Sequence, residues 1–375
     1  MNILINALGI DNSGGVTIFN KLLNEIYQDT CNQYLIVCND SVSSCQYKLN
    51  NNLLFIVVSD NKIFNRFYYE NTKLNRLVKK YKIQLIYNFS GSAQIFIKIP
   101  QLIKVQNLLF YSKRLDYCYF RMSAFTLWIK QIFFKRLVLK FMLNRSSHIE
   151  IQSTHVKDYL SDYIDTNKKS FYLKSDINIS NIEFYKPKQY DFSKKIKFLY
   201  IVGPHFEYIH KNFIDFTNTL LKIDRKGIDF EVNITLTREQ LNNSKVWDYS
   251  LNSKTNFLGY IANQENMTEL FCSNTILIST SIVETLGLHV IEGIKNGVIT
   301  IAPDEEYANA VYGEDMFKYK LFNKDSLLCA IMNIINYNGS YSKKILSIQD
   351  NLRQSEACKF SSILDVFNKV ENVQK

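Results

Sequence analysis

Apolar residues occur along this chain in short unbroken runs, separated by polar turns and by stretches with helical spacing. Residues 2–8 form such a run, a glycine-containing turn follows over residues 9–15, and apolar positions then recur at helical intervals over residues 16–27. This predicts a β-loop-α opening. Runs at 34–38 and 53–58 predict further strands, residues 66–81 a helix with Leu74, Leu77 and Val78 on one face, and runs at 84–88, 101–105 and 149–152 three more strands. Polar, extended material continues to Tyr185-Lys186-Pro187, and the chain turns strongly apolar again at Ile196, which places a domain boundary near residue 188. Beyond it the alternation resumes, with strands at 197–202, 230–235, 256–258, 275–279 and 298–301 and helices at 212–223, 264–272 and 287–296. Alternating β and α runs of this kind predict parallel sheets with helices on both faces. The expectation is therefore an α/β protein of two doubly wound Rossmann-like domains, 1–187 and 188–375, facing a central cleft, with the final helix returning to the N-terminal domain.

Residues 119–145 break the pattern. They are rich in aromatic and aliphatic side chains, with Arg121, Lys130, Lys135, Arg136, Lys140 and Arg145 interspersed. One reading is an interfacial helix that contacts anionic lipid. The six cations fall all around a helical wheel, however, which equally suits helices packed in the N-terminal domain with snorkelling Lys and Arg stems.

Composition narrows the class. With 375 residues, 46% hydrophobic and 21% charged, the chain can build two packed cores and is not a disordered polymer. The net charge of +10 suits phosphorylated small molecules, anionic lipid or nucleic acid, but the basic residues are scattered and carry no nucleic-acid-binding motif, so no nucleic-acid partner is expected. Seven cysteines, at 31, 38, 45, 118, 272, 329 and 358, contain no C-x-x-C pair and predict reduced thiols in a cytoplasmic protein. The first residues, MNILINALGI, read as a buried strand and not as a secretion leader. No run of eighteen uncharged apolar residues predicts a membrane span, which leaves peripheral contact with the cytoplasmic face of an inner membrane as the expected membrane association.

In open α/β sheets ligands bind beyond the carboxyl ends of the strands, so the loops there hold the candidate chemistry. The turn ending in Ser13-Gly14-Gly15 at a helix start can bring backbone N–H groups to an anion, although a plain strand-to-helix turn explains it as well. Glu284 and Glu292 stand eight apart around Gly287, about 80° apart if helical geometry reaches both, so that a sugar and a ribose could be bonded on one side. Lys211 opens a helix, where a cation opposes the dipole and hints at a bound anion; Arg238 ends a strand and offers a second cation. Each has a bland alternative as a solvated surface residue.

Together these residues resemble the GT-B glycosyltransferases of family 4, over nearly the whole chain. Every fixed letter of the context S-x-x-E-x-x-G-L-x-x-x-E-x-x-x-x-G is present from Ser281 to Gly297, and FLGYIANQENMTELF and VITIAPDEEYANAVYGED resemble the family's flanking segments. The resemblance implies transfer from a nucleotide-sugar donor to a saccharide or lipid-linked acceptor, with retention of configuration, in cell-surface polysaccharide or lipopolysaccharide synthesis. It implies catalytic roles for Glu284 and Lys211, and donor binding by Glu292, Gly14, Gly15, Thr285, Leu286, Gly287, Leu288, Arg238 and Tyr260. Gln106 and Asn107 fall on the acceptor side. Lys211 would neutralise the departing diphosphate, so neither a cofactor nor a metal is expected, consistent with the absence of D-x-D. The chain departs from the family where Gly203 is followed by Pro204 and His205 instead of Arg, leaving His205, His210 or Arg238 to supply that function, and where no His stands near Gln106. A sugar-nucleotide epimerase or phosphorylase, a silent binding subunit and a nucleic-acid-binding protein are the alternatives.

Overall fold

The computed structural model describes residues 1–10, 13–40, 42, 52–59, 63–177, 179–261, 264–354 and 360–374. Cys45, Cys358, Asp11 and Asn12 of the first turn, and Ala262 and Asn263 lie outside the described residues. The chain forms two compact units, one from Met1–Tyr111, Thr126–Asn178 and Glu356–Lys375, the other from Ser112–Phe125 and Ile179–Ser355.

The first stretch runs β1 (Asn2–Ala7), α1 (Ser13–Tyr27), β2 (Gln33–Cys38), β3 (Leu53–Val57), α2 (Ile63–Tyr68), a π-helical turn (Tyr69–Lys73), α3 (Leu74–Lys80), β4 (Leu85–Asn88) and β5 (Gln101–Val105). Next come α4 (Lys113–Arg121), α5 (Phe125–Trp128), a second π turn (Ile129–Phe133), α6 (Phe134–Arg145), β6 (His148–Ile151), α7 (His155–Ser161) and β7 (Ser170–Leu173). The remainder contains β8 (Ile196–Tyr200), α8 (Phe213–Arg225), β9 (Phe230–Ile234), α9 (Arg238–Asn242), β10 (Thr255–Phe257), α10 (Gln264–Glu269), β11 (Thr275–Ile278), α11 (Leu288–Lys295), β12 (Ile299–Pro303), α12 (Glu306–Tyr312), β13 (Phe317–Tyr319), α13 (Ser326–Ile335), α14 (Tyr341–Gln354) and α15 (Ile363–Gln374).

Both sheets are parallel. The first has the order β3-β2-β1-β4-β5-β6-β7, with Ile5 of β1 opposite Ile36 and Tyr87, and the second the order β10-β9-β8-β11-β12-β13, with Phe198 of β8 opposite Val232 and Ile276. Strands buried on both faces explain the unbroken apolar runs: Ile3, Ile5, Ala7, Ile36 and Tyr87 pack under α1 and α15, while Leu4, Leu35, Val37 and Ile86 pack under α3 on the opposite face. The fold is thus two Rossmann-like halves built on seven and six strands.

Three expectations are corrected. The helix read at 66–81 is interrupted by the π turn Tyr69–Lys73. The polar material after residue 152 contains α7 and β7; β7 opens on a polar residue and spans only four, too short for a periodic signal. Residues 119–145 form no single helix: α4 ends at Arg121, and α6 packs through buried Met142 and Leu143 while leaving Phe134, Leu137, Val138 and Phe141 exposed. Among the described residues no helix is long and apolar enough to cross a membrane.

Candidate active site

The strand order of the second sheet reverses between β8 and β11, and loops leaving such a pair flank an open crevice. The loop after β8 contains a 3-10 turn, Ile209–Lys211, and then Asn212 in the left-handed region before α8 starts. Lys211 therefore precedes α8 and is not part of its first turn. The loop after β11 is bonded to this turn: the Ile282 N–H donates to the His210 carbonyl at 2.7 Å, and the Thr280 hydroxyl donates to the Lys211 carbonyl at 2.6 Å. The Tyr200 hydroxyl lies 2.6 Å from Thr280 Oγ1, fixing the second loop to β8.

This framework sets the Lys211 ammonium 2.7 Å from Glu284 Oε1 and 3.4 Å from Ser281 Oγ. Burial pushes the Glu284 carboxyl up, but the Lys211 charge beside it, with His289 and the hydrogen bonds from Lys211 and Ser281, more than offsets this and leaves it depressed to about 2. The His289 imidazole, 2.8 Å from Ser279 Oγ, is held down to about 4 chiefly by burial. The crevice thus presents a carboxylate, an ammonium and a neutral imidazole at neutral pH.

Gly287 determines how α11 begins. Its φ of 61° makes it the left-handed N-cap, so Glu284 lies outside the helix and the 80° estimate, which needed helical geometry at both carboxylates, does not apply. A Cβ on Gly287 would also sit 2.0 Å from the Tyr312 hydroxyl. That hydroxyl donates to the Leu286 carbonyl at 2.7 Å, and the Tyr307 hydroxyl donates to the Ser281 carbonyl at 2.7 Å. Two buried tyrosines of α12 thereby hold the loop at both ends. The Val290 N–H donates to the Gly287 carbonyl at 2.8 Å, so at the start of α11 the N–H groups of Leu288 and His289 are the ones without an intrahelical acceptor and available to an anion.

Glu292 lies one turn into α11; its Oε2 is ion-paired with Lys295 Nζ at 3.6 Å but accepts no hydrogen bond among the described residues, which leaves it open to a donor such as a ligand hydroxyl. Leu286 is buried, Thr285 half-buried and Leu288 exposed. Gly14 and Gly15 lie in the first turn of α1, in the other unit. Arg238 is the first residue of α9, which Thr237 caps, and its guanidinium lies 5.0 Å from the Phe257 ring centre; Tyr260 is exposed, and neither pairs with Lys211, Glu284 or Glu292. Asn107 Oδ1 accepts from the Leu109 N–H at 2.9 Å, a local turn, and Gln106 is half-buried. His205 stacks on Tyr208. The residues that sequence reasoning did not single out are His289, Tyr307 and Tyr312. The first stood inside the Glu284–Glu292 motif, and the tyrosines stood in the segment following it. Among the described residues no cluster of three or more His, Cys, Asp or Glu could hold a metal.

No protein-family model and no curated protein sequence matches the chain. Solved structures do. Sucrose-phosphate synthase from Thermosynechococcus elongatus aligns with a TM-score of 0.66 at 14% identity, over 100% of this chain and 98% of its own. Anabaena HepE in complex with UDP-glucose aligns at 0.61 and 13% identity, over 100% and 99%. The lipopolysaccharide outer core galactosyltransferase WaaB aligns at 0.59 and 12% identity, over 94% and 97%. The chain therefore shares the GT-B fold of these glycosyltransferases, two Rossmann-like units each built on a parallel sheet.

Proposed function

We propose that this protein is a glycosyltransferase of family 4 type, moving a sugar from a nucleotide-sugar donor to a saccharide or lipid-linked saccharide acceptor with retention of configuration and without a metal. The observation that carries this reading is the Lys211–Glu284 pair, at the switch point of a GT-B sheet and beside the open start of α11. The UDP-glucose complex of HepE supports a UDP-sugar as the first donor to try. The exposed Phe134, Leu137 and Phe141 of α6, with Lys135 and Lys140 nearby, support peripheral contact with an anionic membrane and a role in cell-surface polysaccharide synthesis.

In this reading the donor's ribose hydroxyls bond to Glu292, whose Oε2 is ion-paired with Lys295 but accepts no hydrogen bond among the described residues, and the sugar hydroxyls bond to Glu284. The diphosphate lies against Lys211 and the first N–H groups of α11. The acceptor hydroxyl forms a new bond to the anomeric carbon on the face from which the nucleotide departs. The bond to the phosphate oxygen breaks, its electron pair leaves with the diphosphate, and the acceptor proton passes to the departing phosphate oxygen. Lys211 stabilises the negative charge that grows there, an interaction stronger in the transition state than with bound donor. Lys211→Ala is expected to lower turnover by about 100-fold or more while weakening donor binding far less. Unchanged turnover with a correctly folded variant would reject the role.

A further inference from the structure

The first sheet also has a switch point, between β1 and β4, and the loop leaving β4 borders a cavity of ≈ 660 Å³ that none of the assignments above uses. Its two ends differ in chemistry. At the polar end are Arg66, Glu70, Ser90 and Ser92; the wall is made by Phe110, Phe134, Val138 and Leu139.

Arg66 is held in place. Its Nε donates to Glu70 Oε1 at 3.1 Å, and its Nη2 donates to Ser90 Oγ at 3.1 Å and Ser92 Oγ at 2.9 Å. Buried Glu70 is itself fixed by Asn6 of β1 at 2.9 Å and by Ser92 at 2.8 Å. Three of the five guanidinium N–H groups are thus committed, and both on Nη1 remain without a partner among the described residues. Nη1 lies where residue 9 has no side chain: a Cβ on Gly9 would stand 2.2 Å from it. Lys135 adds a second cation at the rim, so Arg66 and Lys135 outweigh Glu70 by one positive charge.

The wall continues onto the surface. Phe134 and Val138 are 61% and 45% exposed, and Phe141 follows on the same helical face. Both helices that border the cavity contain a π turn, Tyr69–Lys73 and Ile129–Phe133, a distortion frequent at functional sites.

We propose that this cavity binds the acceptor, and that the acceptor is an amphiphile: a phosphate-bearing head at Arg66 and a hydrocarbon chain along α6. The assignment rests on the transferase reading and narrows its acceptor to the lipid-linked class. A free saccharide would leave the apolar wall wet, and a free phosphate would use only one end of the cavity.

The test is calorimetric titration of the whole chain, without nucleotide sugar, using farnesyl monophosphate, farnesol and inorganic phosphate as probes. Farnesyl monophosphate is expected to bind at least about tenfold more tightly than either fragment. Arg66→Gln is expected to weaken it about ten- to hundredfold through lost charge-assisted hydrogen bonds. Gly9→Ala, which displaces the guanidinium without removing it, should act in the same direction, and Val138→Asp should weaken the phosphate ester by placing a charge in the wall. Gly9→Ala keeps the proposal testable if Arg66→Gln strands the buried Glu70 and fails to fold. Binding unchanged in folded Gly9→Ala and Val138→Asp overturns the site. Farnesol or inorganic phosphate binding as tightly as the ester overturns the amphiphile. Because no donor is present, these outcomes are independent of whether a nucleotide sugar binds beside Glu292.

Discussion

Replacing Lys211 by Met removes the cation from Glu284 while keeping a side chain of similar length, and the structure sets the size of the effect. The pair is 2.7 Å apart with side chains 25% and 20% exposed. The Glu284 carboxyl falls from its ordinary 4.5 to about 2, which at 1.36 kcal/mol per pH unit amounts to about 3 kcal/mol of preference for the ionised form. Water still reaches both groups, so screening reduces the expected contribution at pH 7 to about 2 kcal/mol. A folded pKa below the unfolded one gives stability that is present above pH 4.5 and is lost as pH falls toward 2. The gap between wild type and Lys211→Met should thus be near full size at pH 7 and shrink between pH 5 and 3. The assay is urea denaturation followed by tryptophan fluorescence. The chain has two tryptophans, and in a Trp128→Phe background the buried Trp247, packed on Phe213, reports on the second unit alone. A double-mutant cycle with Glu284→Gln isolates the pair. A coupling below about 0.5 kcal/mol, or a gap independent of pH, would refute the electrostatic reasoning.

Gly287→Ala combines left-handed strain with a clash against the Tyr312 hydroxyl and should destabilise the second unit by about 2–4 kcal/mol in the same assay. Adding Tyr312→Phe removes the clashing oxygen, so the double variant should be less destabilised than the sum of the two single ones. His289 is held at about 4 in the folded chain against an ordinary 6.5, so it opposes folding increasingly as pH falls from 6.5 to 4; His289→Asn should flatten that part of the stability-pH curve. In the first unit the buried Lys104 pairs with Asp176 and, at 3.3 Å, with Glu150, which also accepts from the Tyr87 hydroxyl at 2.6 Å. Lys104→Met should cost about 3–5 kcal/mol by stranding two buried carboxylates, with partial recovery on adding Glu150→Gln, measured through Trp128.

The strands buried on both faces were legible because their burial demands apolar residues at every position. Residues 101–105 were read with the bounds of β5, and 53–58 and 230–235 within one residue of β3 and β9. Short elements were not: β13, three residues beginning Phe317, is hidden among charged neighbours. Helical interruptions were equally silent, because a π turn inserts an offset that a 3.6-residue pattern absorbs as noise. Around the candidate site, the motif from Ser281 to Gly297 drew attention to Glu284 and Glu292, but it could not reveal that Gly287 is a left-handed cap. Nor could it show that Lys211, 73 positions before Glu284, reaches it through the bonds of Ile282 and Thr280. The tyrosines of α12 escaped notice because buried aromatics on a helix are ordinary core residues until their hydroxyl partners are known.

The measurement that tests the central claim most directly is a calorimetric titration of the chain with UDP, GDP, ADP, CMP and dTDP sugars, beginning with UDP-glucose and run beside Glu292→Ala. The account predicts that one nucleotide sugar binds and raises the unfolding temperature of the wild type, and that Glu292→Ala, folded as before, loses most of that affinity. No binding by any of the panel, or binding indifferent to Glu292, would contradict it.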